Sequence, residues 1–159
     1  MSNIKSKLTK KSYLIYGMGV SYFMLDQLYN QWLTYYYLPP ETEKSLTPLL
    51  KPGFLILAFV IARIIDAISD PLIGYLSDNS KSKFGKRSFF MMIGGIPLGI
   101  LMIMYFYPPK HSQMATLIYL SIVGGFFWIS YTLVGGPYNA LIPDLSNTKE
   151  ERLNLSTVQ

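Results

Sequence analysis

The chain has 159 residues, half of them apolar and only 14% charged, where a soluble domain carries about a quarter charged residues. It has no cysteine and one histidine, His111, which excludes a disulfide framework, a thiolate metal site and any multi-histidine site. The formal net charge of +5 raises the question of nucleic acid, but the positive residues stand beside apolar runs, where an orientation signal accounts for them, so no nucleic-acid partner is expected.

Residues 1–12 form a basic amino-terminal segment carrying Lys5, Lys7, Lys10 and Lys11. The apolar run that follows, 13–38, is too long for a secretory leader and has no small-residue cleavage site after it. It is expected to remain as a first membrane helix. Asp26 lies within it near Gln27, Asn30 and Gln31, and either lines an internal cavity or sits near the outer interface.

A second apolar run occupies 52–77, a third 88–107 and a fourth 114–136. The third and fourth contain no charged residue, and a helix needs about 20 apolar residues to cross a hydrocarbon core. A soluble core helix keeps a charged face, which these runs lack. Gly95 and Gly99 have the spacing that lets two membrane helices approach closely; ordinary packing is the plainer reading. Pro97 and Pro137 are expected to kink their helices, which neighbouring groups can accommodate. Residues 139–159 read as a cytoplasmic loop and the start of a fifth helix that is cut short.

Lys and Arg counts in the short connections set the orientation. The amino terminus holds four, the loop after span two holds Lys81, Lys83, Lys86 and Arg87, and the segment after span four holds Lys149 and Arg152. The opposite side holds Lys44, Lys51 and Lys110. Both termini are therefore expected on the cytoplasmic side, with Tyr35, Tyr36, Tyr37, Tyr105 and Tyr107 at the outer interface, where amphipathic rings are favoured. Uncleaved spans without cysteine suit a bacterial inner membrane, and the basic loop suits contact with anionic lipid headgroups.

Span two carries the chemistry. Arg63, Asp66 and Asp70 lie in a segment that must cross the bilayer, and each such charge costs roughly 2.5–3.5 kcal/mol at mid-membrane even on insertion scales. Spacings of three and four place them on one helix face. That face must meet other helices or a water-filled cavity. With both carboxylates ionised the trio carries one net negative charge, which a monovalent cation or a proton would neutralise. An ion-pair cluster that only pins helices together would need one carboxylate per arginine, and here one is left over. No nucleophile–base pair or metal set supports an enzyme, and no phosphate-binding loop supports ATP-driven transport. No cofactor is expected.

The run A-R-I-I-D-A-I-S-D-P-L-I-G at 62–74 resembles the second helix of the glycoside–pentoside–hexuronide:cation symporters, the melibiose-carrier group of the major facilitator superfamily. Asp78 and the loop through Gly85, Lys86 and Arg87 look like that family's connection between helices two and three. P-Y-N-A-L-I-P-D-L at 137–145, with Glu151 and Arg152 beyond, looks like the end of its helix four, and Y-G-M-G at 16–19 like the start of its helix one.

The resemblance implies an all-α, polytopic membrane protein, here the first four spans of a major-facilitator-type bundle. It implies a secondary active transporter that couples Na⁺, Li⁺ or H⁺ to a small solute of the sugar or glycoside class. On it, Asp66 and Asp70 are the cation ligands, Thr132 contributes from helix four, Tyr131 faces the solute, and Arg63 holds the carboxylates between binding events. Asp78, Gly85, Lys86 and Arg87 are implied to help gate the cytoplasmic side.

The departures are as specific. Met24, with Phe23 before it, and Gly135 stand where sugar carriers of the family have acidic residues, and Asn139 where they have a tryptophan. The cation half of the site is present and the galactoside half is not. A lysolipid-type carrier of the wider family is therefore an alternative, as is a non-transporting membrane protein that keeps the cluster for packing. Such carriers have twelve spans, so the chain is expected to be the front portion of one.

Overall fold

The computed structural model describes residues 10–43, 46–83, 85–146 and 148–158. Lys5, Lys7 and Lys44 lie outside the described residues, as do the side chains of Asp26 and Asn30. All regular structure among the described residues is helical, as the alternation of long apolar runs with short polar connections predicts.

The first apolar run is not one uniform helix. It is built from α1 (Lys10–Gly19), a 3₁₀ turn (Val20–Phe23), α2 (Met24–Leu28), a π-helical turn (Tyr29–Leu33) and α3 (Thr34–Tyr37). Changes of winding rotate the side-chain faces relative to a regular 3.6-residue repeat. The runs expected as spans two to four fall on α4 (Pro52–Asp78), α5 (Ser88–Met104) and α6 (Gln113–Asn139), followed by α7 (Leu141–Leu145) and α8 (Lys149–Val158).

Two stretches, Pro52–Asp78 with mean hydropathy 1.9 and Gln113–Leu145 with 1.8, are long and apolar enough to cross a membrane. At 1.5 Å per residue, a 27-residue helix such as α4 is about 40 Å long, more than the hydrocarbon thickness of about 30 Å. The third expected span is shorter than its apolar run: α5 stops at Met104. Tyr105, Phe106 and Tyr107 form a tightened turn, with Phe106 and Tyr107 bonded to the carbonyls three residues back, and Pro108 and Pro109 then bar further helix.

α6 is the centre of the fold. One side packs on α4, where Gly124 lies so close to Ala62 that a Cβ added there would sit 3.0 Å from the alanine methyl. The core joins Leu55, Ala58 and Ala62 of α4 to Leu98 of α5 and Leu120, Val123 and Phe127 of α6, with Leu33 and Tyr37 closing it from the first run. Outward-facing residues are as apolar as the core: Ile64, Ile68 and Ile96 are 55%, 67% and 72% exposed. Such a surface suits lipid or further helices rather than water.

Polar side chains staple one end of the bundle together. Tyr37 donates to the Tyr105 carbonyl at 2.7 Å and Tyr36 to the Phe106 carbonyl at 2.9 Å. The Gln113 amide accepts from the Lys51 N–H at 2.9 Å and donates to the Leu49 carbonyl at 3.1 Å. Ser112 caps α6 by accepting from the Ala115 N–H at 3.1 Å. Of the tyrosines expected at the outer interface, Tyr37 and Tyr105 are fully buried, Tyr36 is half-buried, and Tyr35 and Tyr107 are exposed.

The glycine spacing also resolves differently. An added Cβ at Gly95 or Gly99 would meet nothing within 4 Å, whereas at Gly94 it would lie 2.6 Å from the Leu133 Cβ and 3.0 Å from the Ser130 carbonyl oxygen of α6. The close approach therefore runs through Gly94, one position before the motif. Gly94→Ala is expected to cost about 1–3 kcal/mol by overpacking this contact, while Gly95→Ala is neutral or gains up to about 1 kcal/mol of helix propensity. Thermal unfolding of the two variants in detergent checks this; equal midpoints would refute the close-contact role of Gly94.

Candidate functional site

The seam between α4 and α6 carries the polar cluster. On α4, Arg63, Asp66 and Asp70 follow one another at intervals of three and four, as the helical repeat requires. On α6, Trp128 and Thr132 are four apart and face them. The Arg63 guanidinium lies over the Trp128 ring, its central carbon 3.5 Å from the ring centroid, and its Nη1 lies 3.3 Å from Asp66 Oδ2.

Thr132 stands between the two carboxylates. Its Oγ1 is 2.7 Å from Asp70 Oδ1 and 3.2 Å from Asp66 Oδ1. A hydroxyl carries one hydrogen to donate, so the two carboxylates compete for a single donor. The shorter contact marks Asp70 as its acceptor, and Asp66 Oδ1 then faces a hydroxyl oxygen across 3.2 Å. Three oxygens from three side chains thus converge, two of them carboxylate, beside one guanidinium. Such a set suits a small hard cation, which would bridge oxygens that otherwise repel. No cluster of three or more His, Asp or Glu is present among the described residues.

The cluster opens into a cavity of about 460 Å³, lined by Phe23, Tyr131, Gly135 and Asn139 together with Arg63, Trp128 and the site carboxylates. Asp66 is the more enclosed carboxyl, its side chain 16% exposed, while Asp70 is exposed. Tyr131 lies against Phe127 and Trp128, with ring centroids 6.2 and 5.2 Å away. Arg63, Asp66, Asp70, Tyr131, Thr132, Gly135 and Asn139 are thus brought together at one cavity.

Met24 is not. Its side chain is 63% exposed, and Phe23, at the end of the 3₁₀ turn, lines the cavity instead. The tighter winding before Met24 rotates it out of the position that an uninterrupted helix would give. The expected Asp26 position falls on a side chain outside the described residues.

Of the expected gating residues, Asp78 borders the same cavity, and Gly85 has φ of +95°, a left-handed conformation that glycine adopts without penalty. Lys86 is exposed. Arg87 pairs with Asp78 at 3.7 Å and with Asp144, beyond α6, at 3.3 Å. Sequence reasoning missed Asp144, although it follows Pro143 within a motif already singled out. It also missed Trp128, for which the four-residue spacing to Thr132 was the available signal.

A second lock holds the first run against the carboxyl-terminal end of α6. The Tyr16 and Tyr138 rings stack with centroids 4.8 Å apart and planes within 6°, the Tyr138 hydroxyl donates to the Tyr16 carbonyl, and Leu155 of α8 is buried with both.

Residues 15–159 match the family described as MFS/sugar transport protein. The chain is 31% identical over 152 residues to the inner membrane symporter YicJ of Escherichia coli K12, covering 94% of this chain and 31% of that protein. It is 32% identical over 103 residues to the putative glycoside/cation symporter YagG of the same organism, covering 65% of this chain and 22% of the relative. It is 27% identical over 103 residues to the isoprimeverose transporter of Lactiplantibacillus pentosus, covering 64% and 21%. The chain therefore spans less than a third of the length of these relatives. No solved structure matches it.

The Arg87–Asp144 pair is expected to be weak, because the Asp144 side chain is 58% exposed and exposed ion pairs yield about 0.2–1 kcal/mol. A double-mutant cycle with Arg87→Ala and Asp144→Ala, read by unfolding in mixed detergent micelles, should return a coupling of that size, falling as salt is raised. A coupling of several kcal/mol would instead mark a desolvated clamp.

Proposed function

The chain belongs to the MFS/sugar transport protein family, and from that premise we propose that it supplies the cation-binding part of a secondary carrier coupling a monovalent cation to movement of a sugar or glycoside. The family is one of carriers rather than enzymes, and the chain is an integral membrane protein, as its two long apolar helices fit. The activity, the solute, the ion, a bacterial inner membrane and cytoplasmic termini belong to this proposal.

The observation that carries it is the convergence of Asp66, Asp70 and Thr132 on one point of the α4–α6 seam. A cation bound there neutralises the carboxylate left over after Arg63 is counted. It also fixes the Thr132 hydroxyl and the two carboxyl groups at the wall of the cavity that the solute would enter. By linkage, a cation that favours solute binding is itself bound more tightly when the solute is present. Alternating access then follows by rocking of one bundle against another about this midplane site.

Relatives named for a glycoside/cation symporter and for isoprimeverose transport support a sugar or glycoside as the solute. The cavity wall favours one with an apolar face: Phe23, Trp128 and Tyr131 present rings, and Gly135 contributes no polar side chain. A lysolipid-type amphiphile fits the same wall, and competition of candidate solutes for uptake separates the two.

Asp66→Asn and Asp70→Asn keep the shape of the site and remove its charge. Each is expected to reduce cation-stimulated uptake by the whole protein to background in membrane vesicles. Thr132→Ala should raise the cation concentration for half-maximal uptake about tenfold, the equivalent of about 1.4 kcal/mol, in line with the loss of a hydrogen bond to a charged group. Uptake that remains cation-dependent in both asparagine variants would make the cluster a structural one.

A further inference from the structure

The cavity does not end at the carboxylates. Beyond Asp70 it continues toward the carboxyl-terminal ends of α4 and α6, past Gly74 and Gly136, to Ser77, Asp78 and Asn139. The rise of α4 from Asp70 to Ser77 is about 10 Å, and a spacing of seven returns a residue to nearly the same helix face. The two helices run side by side with an offset of 62 residues, which pairs Asp70 with Thr132 and Ala62 with Gly124. The same offset sets Gly74 level with Gly136 and Ser77 level with Asn139.

These glycines differ from those of the seam. At Gly124 and Gly125 an added Cβ would lie 3.0 Å from Ala62 and 2.6 Å from Ile65, so helix contact requires their small size. At Gly74 and Gly136 an added Cβ would meet nothing within 4 Å. Glycine weakens a helix interior relative to alanine, and the contact between α4 and α6 does not call for it at either position. What the two missing side chains leave is width in the cavity, one on each wall. Small residues alone would not make a binding site, and Ser77 supplies a second observation. It lines the cavity, is 3% exposed, and its hydroxyl has no hydrogen-bond partner among the described residues. Buried hydroxyls are normally paired, and a solute hydroxyl reaching this depth would pair this one.

The cavity thus has two polar regions joined by a glycine-lined passage. At one stand Arg63 and the carboxylates beside the Trp128 and Tyr131 rings; at the other stand Ser77 and Asn139. A single sugar ring fills only the first. An acyl chain laid along the passage would leave the Ser77 hydroxyl against hydrocarbon, which is unfavourable. A second ring bearing hydroxyls satisfies it, and the volume of about 460 Å³ lies in the range of small-molecule sites.

We propose that Gly74, Gly136 and Ser77 form a second solute subsite, which accepts the second ring of a disaccharide-sized glycoside. This rests on the sugar-carrier reading given above and selects, within it, a two-ring solute over a single sugar and over an amphiphile.

The test is uptake by the whole protein in membrane vesicles. The radiolabelled probes are maltose, cellobiose, lactose and melibiose, the methyl glycosides of their non-reducing sugars, and lysophosphatidylcholine. The quantity read is the ratio of half-saturation concentrations, methyl glycoside over disaccharide. In the unaltered protein at least one disaccharide should give a ratio of about ten or more. Gly74→Leu fills the passage from the α4 wall and should bring that ratio to about one. Gly74→Ala adds a single methyl, favours the helix and should lower the ratio partway, which keeps the test open where leucine is not tolerated. Ser77→Ala should lower it about fivefold, in line with the loss of one neutral hydrogen bond, and Ser77→Thr, which keeps the hydroxyl, by less.

Equal half-saturation by disaccharides and methyl glycosides in the unaltered protein, or uptake of methyl glycosides alone, overturns the proposal and leaves the carrier standing. A ratio unchanged in the Gly74 variants and in Ser77→Ala also overturns it. So does an equal loss for both solutes, which would make these packing residues. Cation-dependent uptake of lysophosphatidylcholine and of no saccharide, or of no probe at all, overturns the sugar-carrier reading and this proposal with it.

Discussion

The close approach of α4 and α6 is the constraint on which the remaining structure depends. Gly124 and Gly125 carry no side chain to hold the helices apart, and Ala62 and Ile65 of α4 fill the space they leave. Further along the same seam, the same proximity brings Asp66 and Thr132 within hydrogen-bonding distance. A larger residue at the glycines would separate the backbones, and the carboxylates would lose the hydroxyl before any polar residue had been altered. Helix association in a bilayer lacks the hydrophobic drive available in water, so close packing and interhelical hydrogen bonds must carry it. Here the two lie on one seam: small residues make the contact, and the polar cluster profits from it.

That arrangement also explains how the charges are tolerated. Each carboxylate costs several kcal/mol away from water, and the structure compensates by three routes. Arg63 offsets one negative charge, Thr132 donates to the carboxyl pair, and the cavity admits solvent to Asp70. The two ends of α6 are fixed separately, by Ser112 and Gln113 at its amino-terminal end and by the Tyr16–Tyr138 stack at its carboxyl-terminal one. Thr132 and Trp128 are therefore held by a helix that is anchored above and below them, which is what a site with convergent oxygens requires.

Much of this was legible from the residues alone. The long uncharged runs imposed an all-helical membrane chain, and the three- and four-residue spacings put Arg63, Asp66 and Asp70 on one face. Those inferences rest on the helical repeat, which α4 obeys through Pro71 without interruption. Where the repeat fails, the reading fails with it. Met24 follows a 3₁₀ turn and points away from the cavity that Phe23 lines. For Tyr37 and Tyr105, expected at the outer interface by composition, the sequence did not show that both are buried and that Tyr37 donates to the Tyr105 carbonyl. Gly94 and Trp128 were hidden for another reason. Gly94 belongs to no pattern within its own helix and Trp128 only to a four-residue spacing from Thr132; their importance comes from what the neighbouring helix places opposite them, and a linear sequence does not order its helices in space.

The two carboxylates are not equivalent, and the difference bears on the order of events. Asp66 is the more enclosed and lies beside the arginine; Asp70 borders the cavity and holds the shorter hydrogen bond from Thr132. On the proposed cation reading, an ion arriving through the cavity would meet Asp70 first, and the Thr132 hydroxyl could face it with a lone pair while still donating its hydrogen to Asp70. Filling the site would then change the charge beside a group four residues from Trp128 and next to Tyr131 on the same helix, at the wall where a solute would rest. Coupling between ion and solute would need no long path in such an arrangement, because one hydroxyl shared by two carboxylates lies on the helix that also lines the cavity.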